Sequence, residues 1–292
     1  MIWWKHSISF LSASIDRWFS AALRIGALLA ALIMLFILLF LLLESWPVLR
    51  HIALMRFFTD EAWHPLEDQY NLLPMVTGTL YASSGALLLA IPLGIASALF
   101  MIFYATPRTA VLYRRLIELL AGIPSVVFGF WGLTTLVPLI NQWHPPGASL
   151  LASILILTLM ILPTLALTSY AALVAVPKDY LQAAVALGLS RWGMIYGVAL
   201  PAARKGIVAG ILLAAGRAIG ETMAVLMVAG NVVQHADSLF APIRTLTANI
   251  ALEMAYAMGD HRAVLFVSGL LLLLLVIALT IIAAWFGKTH HV

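Results

Sequence analysis

Six apolar stretches, approximately 23–43, 77–104, 117–140, 149–174, 206–230 and 263–286, alternate along the chain with shorter polar segments. A helix needs roughly 20 apolar residues to cross a hydrocarbon core of about 30 Å. Lipid offers no hydrogen-bond partner, so a spanning backbone must satisfy itself within a helix. The pattern therefore predicts an all-α polytopic membrane protein with six transmembrane helices. The first stretch follows basic residues, as in a signal peptide, but its apolar run is too long for an h-region. The "LLLESWPVL" that follows offers no small-residue cleavage site. It reads as a retained anchor helix.

One polar segment carries a helical pattern of its own. "VPKDYLQAAVALGLSRWGMIYGVALPAARKG", 176–206, is too polar and too broken to span, yet it is rich in helix formers. It predicts two short helices, with Asp179 as N-cap of the first, Gly188 at the turn, Ser190 as N-cap of the second and Pro201 ending the unit. Ala183 and Ala184 put a small, smooth patch on the first helix. The alternative is an amphipathic hairpin lying on lipid headgroups.

Composition agrees with the membrane reading: 63% of residues are hydrophobic and 10% charged, with mean hydropathy +1.05, against about 25% charged in soluble domains. The net charge of +4 and pI near 9.5 do not indicate nucleic acid, because the basic residues are scattered between apolar spans rather than gathered on one face. With no cysteine, disulfides and thiolate metal sites are excluded. Lysine and arginine set the orientation. Lys5, Arg17, Arg24, Arg108, Arg114, Arg115, Lys178, Arg191, Arg204, Lys205 and Lys288 fall on one side, while only Arg50, Arg56, Arg244 and Arg262 fall on the other. Both termini are therefore expected inside, with acid-rich loops 44–76 and 231–262 outside. No linker or internal repeat divides the chain: 1–22 reads as a cytoplasmic N-terminus and 23–292 as a single domain with a core at about 77–286.

Candidate chemistry lies in the fifth stretch. "GRAIGETMAVLMVAGN", 216–231, places Arg217 eleven residues beyond Gly206, or roughly 17 Å along a helix and near mid-bilayer. An arginine there costs at least about 2.5–3.5 kcal/mol. Glu221 follows one turn later, so an unbroken helix would put both on one face within reach of an ion pair. Two readings stay open: a permanent structural pair that fixes helix register, or a guanidinium fork for a tetrahedral oxyanion with Glu221 holding the arginine when no substrate is present. Gly206 and Gly210, like Gly216 and Gly220, offer small faces for close helix approach. Ser125, after Pro124, sits where proline frees a backbone carbonyl, and Thr222 is a further hydroxyl; packing is the competing role for both. Glu118 pairs with Arg114 or Arg115. No catalytic constellation stands out. "GKT" at 287–289 lacks the earlier glycine of a phosphate-binding loop, with Ile282 in its place, and His290 and His291 read as a tail rather than a metal site.

Gln182-Ala183-Ala184, Gly188 and Val198-Ala199-Leu200-Pro201 resemble the EAA signature of ABC-importer permease subunits, with Gln182 in place of the usual glutamate. "DQYNLLPMVTGTLYAS", "AIPLGIASALF", "ELLAGIPSVVFGFWGL" and "GRAIGETMAVLMVAGN" are similar to the PstC-type permease subunits of bacterial phosphate importers. The resemblance implies a type I permease fold whose 176–205 coupling loop docks on a cytoplasmic ATPase through Gln182, Ala183, Ala184, Gly188, Leu200 and Pro201. It favours the oxyanion reading of Arg217 and Glu221, with Thr222 and Ser125 as further candidates for the same substrate pathway. It also implies a non-catalytic inner-membrane subunit that binds no cofactor, with ATP and Mg used by the ATPase. The implied partners are a second, PstA-like permease subunit, two PstB-like ATPase subunits, a PstS-like phosphate-binding protein and membrane lipid. The alternatives are a permease for sulfate, molybdate or a phosphonate, or, in another class, a membrane enzyme or sensor.

Overall fold

The computed structural model describes the backbone of residues 3–288 and the side chains of residues 18–281. His290 and His291 lie outside the described residues. Among these residues, six helical segments are long and apolar enough to span a membrane: Trp18–His51, Leu73–Tyr104, Ser125–Trp143, Leu150–Val174, Arg191–Ile219 and Gly259–Ile281.

The chain begins with α1 (Trp3–His51), whose residues 18–43 are almost wholly exposed, as lipid-facing side chains would be. A short α2 (Arg56–Thr59) and a two-stranded antiparallel hairpin follow, β1 (Trp63–His64) with β2 (Gln69–Tyr70), in which Trp63 faces Tyr70. The second span is α3 (Leu73–Leu99), continued by a π-helical turn at Phe100–Tyr104. Its buried face is a stripe of small residues four apart: Ala82, Ala86, Ala90, Gly94 and Ala98. That stripe lets the backbone of α7 (Leu150–Val174) approach, and α3 and α7 make the most extensive helix contact in the molecule. A Cβ at Gly94 would lie 2.7 Å from Leu165 Cβ. α4 (Pro107–Ala121) leads to the third span, which is made of α5 (Ser125–Trp131), a π-helical turn at Gly132–Leu136 and α6 (Val137–Trp143).

After α7 come α8 (Lys178–Ala186), α9 (Arg191–Met194) and α10 (Leu200–Ile219), then α11 (Met223–Val228), α12 (Leu246–Glu253) and α13 (Gly259–Lys288). The main core gathers α3, α5, α7, α10 and α11. A second cluster, built from Val48, Ile52, Phe57, Trp63, Tyr70, Leu246 and Val264, ties the end of α1 to the hairpin, α12 and α13.

Two expected spans are broken. The 117–140 stretch contains a turn at residues 122–124, because Pro124 has no N–H and disfavours a helical Ile123; the spanning helix starts at Ser125. The 206–230 stretch stops at Ile219, and its helix starts far earlier, at Arg191. The expected second short helix of the polar segment is thus the first turn of a span. Pro201 does not end it: it stands within the span, just inside α10 and directly after a π-helical turn at Ile195–Ala199.

The α3–α7 contact generates a stability test. Gly94→Val places a branched side chain against Leu165 and the backbone of Ala166 and is expected to cost about 1–3 kcal/mol or more, seen as a lower thermal midpoint in detergent. Gly26→Ala, where a Cβ meets nothing within 4 Å, should leave the midpoint unchanged or slightly raised.

Candidate functional site

Gly220 closes α10, its N–H bonding to Gly216 O, and the chain turns through Glu221 and Thr222 before α11. This break decides where the two charges go. Arg217, in the last turn of α10 and half-buried, donates from Nη1 to Thr164 Oγ1 on α7 at 3.2 Å. Glu221 accepts the Ala224 N–H at 3.1 Å and so caps α11. The expected ion pair is therefore not formed. Its one-turn spacing required a continuous helix, and the acid is used where the helix stops. Thr222, the residue before α11, reaches Gly220 O at 3.5 Å, a weak contact.

α10 leans on α7 through its glycines. A Cβ at Gly206 would lie 2.6 Å from Ala172 Cβ, and one at Gly210 would collide with Thr168. Gly216 is different: among the described residues nothing lies within 4 Å of a Cβ there, and Gly220 would meet only its own turn at Gly216 O. The small faces beside Arg217 thus border open space rather than another helix of this chain. α5 packs on α11, with a Cβ at Gly129 falling 2.8 Å from Ala224 Cα. Ser125 opens α5 directly after Pro124 and is half-buried. Glu118 accepts from Arg114 Nε at 2.8 Å, a pair that lies in α4 away from the break.

The broken half-span is braced from the side of α12. Thr247, in the first turn of the buried α12, donates to the carbonyl of Glu221 at 2.8 Å. At the far end, Asn231 takes a left-handed φ of 56° and donates from Nδ2 to Leu226 O at 2.8 Å, closing α11. Its own carbonyl accepts from Arg244 Nε at 2.9 Å. Arg244 Nη1 then bonds Asn249 Oδ1 at 3.0 Å and Glu253 Oε1 at 2.6 Å. Glu253, 6% exposed, also accepts from Trp63 Nε1 at 3.0 Å and meets His261 Nε2 at 2.8 Å. A carboxylate so enclosed is tolerable only because each oxygen has a partner. Nearby, burial and the hydrogen bond to Asp68 push the Tyr70 phenol up to about 12. Among the described residues no group of three His, Asp or Glu side chains is arranged to hold a metal ion.

On the opposite side, Gly188 takes φ +73° between α8 and α9, and Ser190 Oγ accepts the Gly193 N–H at 3.2 Å. Asp179 does not cap α8. Pro177 occupies that place and Asp179 falls in the first turn, where its charge still suits the helix dipole. Ala184 is buried, so of the expected small patch only Ala183 is outward, beside exposed Gln182, Val185 and Leu187. Leu200 packs with Leu181 on the cluster of Ala199 and Ala203, and Pro201 is exposed.

Residues 90–289 match the family described as the inner membrane component of binding-protein-dependent transport systems. The chain belongs to that family. As a permease it is 34% identical to the phosphate transport system permease protein PstC of Mesorhizobium japonicum, over 92% of this chain and 89% of that one. It is 39% identical to a probable ABC transporter permease protein, YqgH, of Bacillus subtilis, over 70% and 68%. Solved structures with the same fold include a subunit of the MetNI methionine ABC transporter, at TM-score 0.59 and 18% identity over 72% of this chain and 92% of that one. A bacterial ABC transporter that imports alginate matches at TM-score 0.58 and 16% identity over 91% and 96%. Permeases of this family work in the membrane with an ATPase and a binding protein.

Thr164, Thr247, Asn231, Arg244 and Glu253 escape a reading of the linear pattern, since each acts on a partner distant in the chain. The signal that exists is local: Thr164 follows Pro163 within a span, and Asn231 ends the 216–231 motif. Thr164→Val keeps the shape but removes the acceptor that Arg217 uses. Transport by the assembled complex should fall at least roughly threefold, in keeping with a lost hydrogen bond to a charged group, and Thr164→Ser should restore it.

Proposed function

We propose that the chain is a transmembrane permease subunit of an ATP-driven importer that moves inorganic phosphate across the cytoplasmic membrane by alternating access. The observation that carries this reading is the state of Arg217: a half-buried guanidinium at a helix break within a span, resting on a neutral hydroxyl rather than on a carboxylate. A cation so placed favours an anion, and its planar fork suits a tetrahedral oxyanion. Its hold is weak enough for passage, since a site that binds tightly does not conduct. Thr222 and Ser125, at the starts of α11 and α5, supply hydroxyls to the same pathway. The names of PstC relatives from several bacteria support phosphate as the anion.

In this reading the chain hydrolyses nothing and binds no cofactor; ATP and Mg belong to two PstB-like ATPase subunits. A PstA-like permease completes the pathway beside the open Gly216 face, and a PstS-like binding protein delivers phosphate outside. The 176–205 loop meets the ATPase through exposed Gln182, Ala183 and Leu187, with Gly188 setting the turn and Leu200 and Pro201 joining it to span five. Both termini and this loop are cytoplasmic.

Arg217→Ala should abolish phosphate uptake by an assembled complex, and Arg217→Lys should leave it roughly tenfold below the parent, because a point charge does not reproduce the fork. Arg217→Met combined with Glu221→Gln should also assemble without transporting, since the two side chains do not neutralise each other. Uptake at the parental rate by that double variant refutes the anion-contact role. Orientation and docking share a second measurement. The chain has no cysteine, so Leu187→Cys gives a single thiol on an exposed position. A membrane-impermeant reagent should label it in inside-out vesicles stripped of the ATPase, and neither in intact cells nor after the ATPase is restored.

A further inference from the structure

The outer ends of the spans enclose a cavity of about 970 Å³ that the anion pathway does not account for. Its walls come from the hairpin (Trp63, Asp68), the chain before α12 (Arg244), α12 itself (Glu253) and the start of α13 (Asp260, His261). Three carboxylates face it against one guanidinium, and that guanidinium is already held by Glu253 and Asn249. The interior therefore favours an incoming cation. Beside the cavity stand Leu66, Met258 and Tyr256, 100%, 83% and 63% exposed. They belong to the hairpin turn and to the link before α13, outside the spanning segments, with Glu67 and Asp68 adjoining Leu66 and Asp260 close behind Met258. Asp260 bonds His51 Nε2 at 2.8 Å and Asp68 accepts from the Tyr70 hydroxyl at 3.2 Å, but among the described residues neither carboxylate pairs with a lysine or arginine. A surface that joins apolar side chains to such acids suits neither lipid tails nor anionic headgroups. It suits a protein segment carrying a basic residue between apolar ones.

The inner wall is the brace. Arg244 and Glu253 line the cavity and end the chain of bonds that runs through α12 to Thr247 and the Glu221 carbonyl. An occupant would touch the groups that hold the broken half-span in place.

We propose that this cavity is the seat for a lysine or arginine side chain of the external binding protein, and that α12 carries its arrival to the break at Glu221. The proposal rests on the importer reading and deepens it. The basic side chain enters opposite Asp68 and Asp260 and competes for Glu253, while apolar neighbours settle on Leu66, Tyr256 and Met258. Relief of the bonds to Glu253 loosens α12, and with it Thr247.

The test uses the whole transporter in proteoliposomes with the binding protein that supports its uptake. Single cysteines replacing Leu66, Met258 or, elsewhere on the outer surface, Ser238 carry a photoreactive group. Adducts with the binding protein are expected from the first two, on a peptide containing lysine or arginine. In Asp68→Lys with Asp260→Lys, the binding-protein concentration that half-maximally stimulates ATPase should rise roughly tenfold at low salt, and less at high salt. Adducts only from Ser238, adducts only with lipid or with a second permease, or an unchanged half-maximal concentration would each overturn the proposal. Leu66 touches nothing the fold needs, so the cross-linking arm stands even if the charge-reversed variant misfolds. Phosphate uptake by the unmodified transporter is scored separately: its failure removes the substrate assignment, whereas missing adducts in a phosphate-transporting complex remove only the seat.

Discussion

A helix that stops within hydrocarbon leaves backbone groups that only protein can satisfy, at several kcal/mol for each one left bare. At Gly220–Thr222 the molecule meets that demand with two bonds, Glu221 Oε1 from the Ala224 N–H and Glu221 O from Thr247. Both ends of one residue are thereby occupied. The cap holds the acid beside α11, and Arg217 donates instead to Thr164 on α7. The guanidinium that makes the span costly thus rests on a hydroxyl rather than on a carboxylate.

The same demand explains why the segment that carries α12 reaches in to the break. α12 supplies Thr247, and it must then be fixed at its other end. Glu253 does this by drawing in Arg244, Trp63 and His261 from separate parts of the chain. Asn231 joins the end of α11 to Arg244. The two short segments 223–231 and 244–253 are consequently cross-braced at both ends. A buried ionic cluster of this kind contributes little net stability compared with apolar packing, but losing one member is costly, so it specifies one arrangement of these segments. On the side of Gly188, the span runs helically from Arg191 to Ile219, with a π-helical turn at Ile195–Ala199, and so joins the loop at 176–190 to the segment that carries Arg217. The break lies between this helical half and the half braced by α12.

Much was legible in the linear pattern. Hydrophobic length alone gives six spans, because in lipid the helix is the only way for a single chain segment to satisfy its backbone. Gly188 and Ser190 could be placed at a turn and a cap because both act within three residues of themselves. The family membership rests on motifs that survive as contiguous runs. Interruptions were harder to read: Pro124 marks one break plainly, whereas the stop after Ile219 has only Gly220 as its local sign. Pro201 points the wrong way, since a proline between helices and a proline at the first turn of a continuing helix look alike.

The sequence by itself determined the solvent, the number of crossings, the side rich in basic residues and the presence of a costly arginine in the fifth span, all of which depend on local composition and on distances of a turn or two. Only the tertiary structure decided the partners. Glu221 could be paired with Arg217 by counting residues, but its geometry depends on whether the helix continues, and that depends on a hydroxyl from residue 247 and on an anchor made by residues 63, 244, 253 and 261. Hydrogen bonds across such separations leave no period in the chain. They follow from which groups the packed helices leave unsatisfied, and that becomes visible only when the helices are placed side by side.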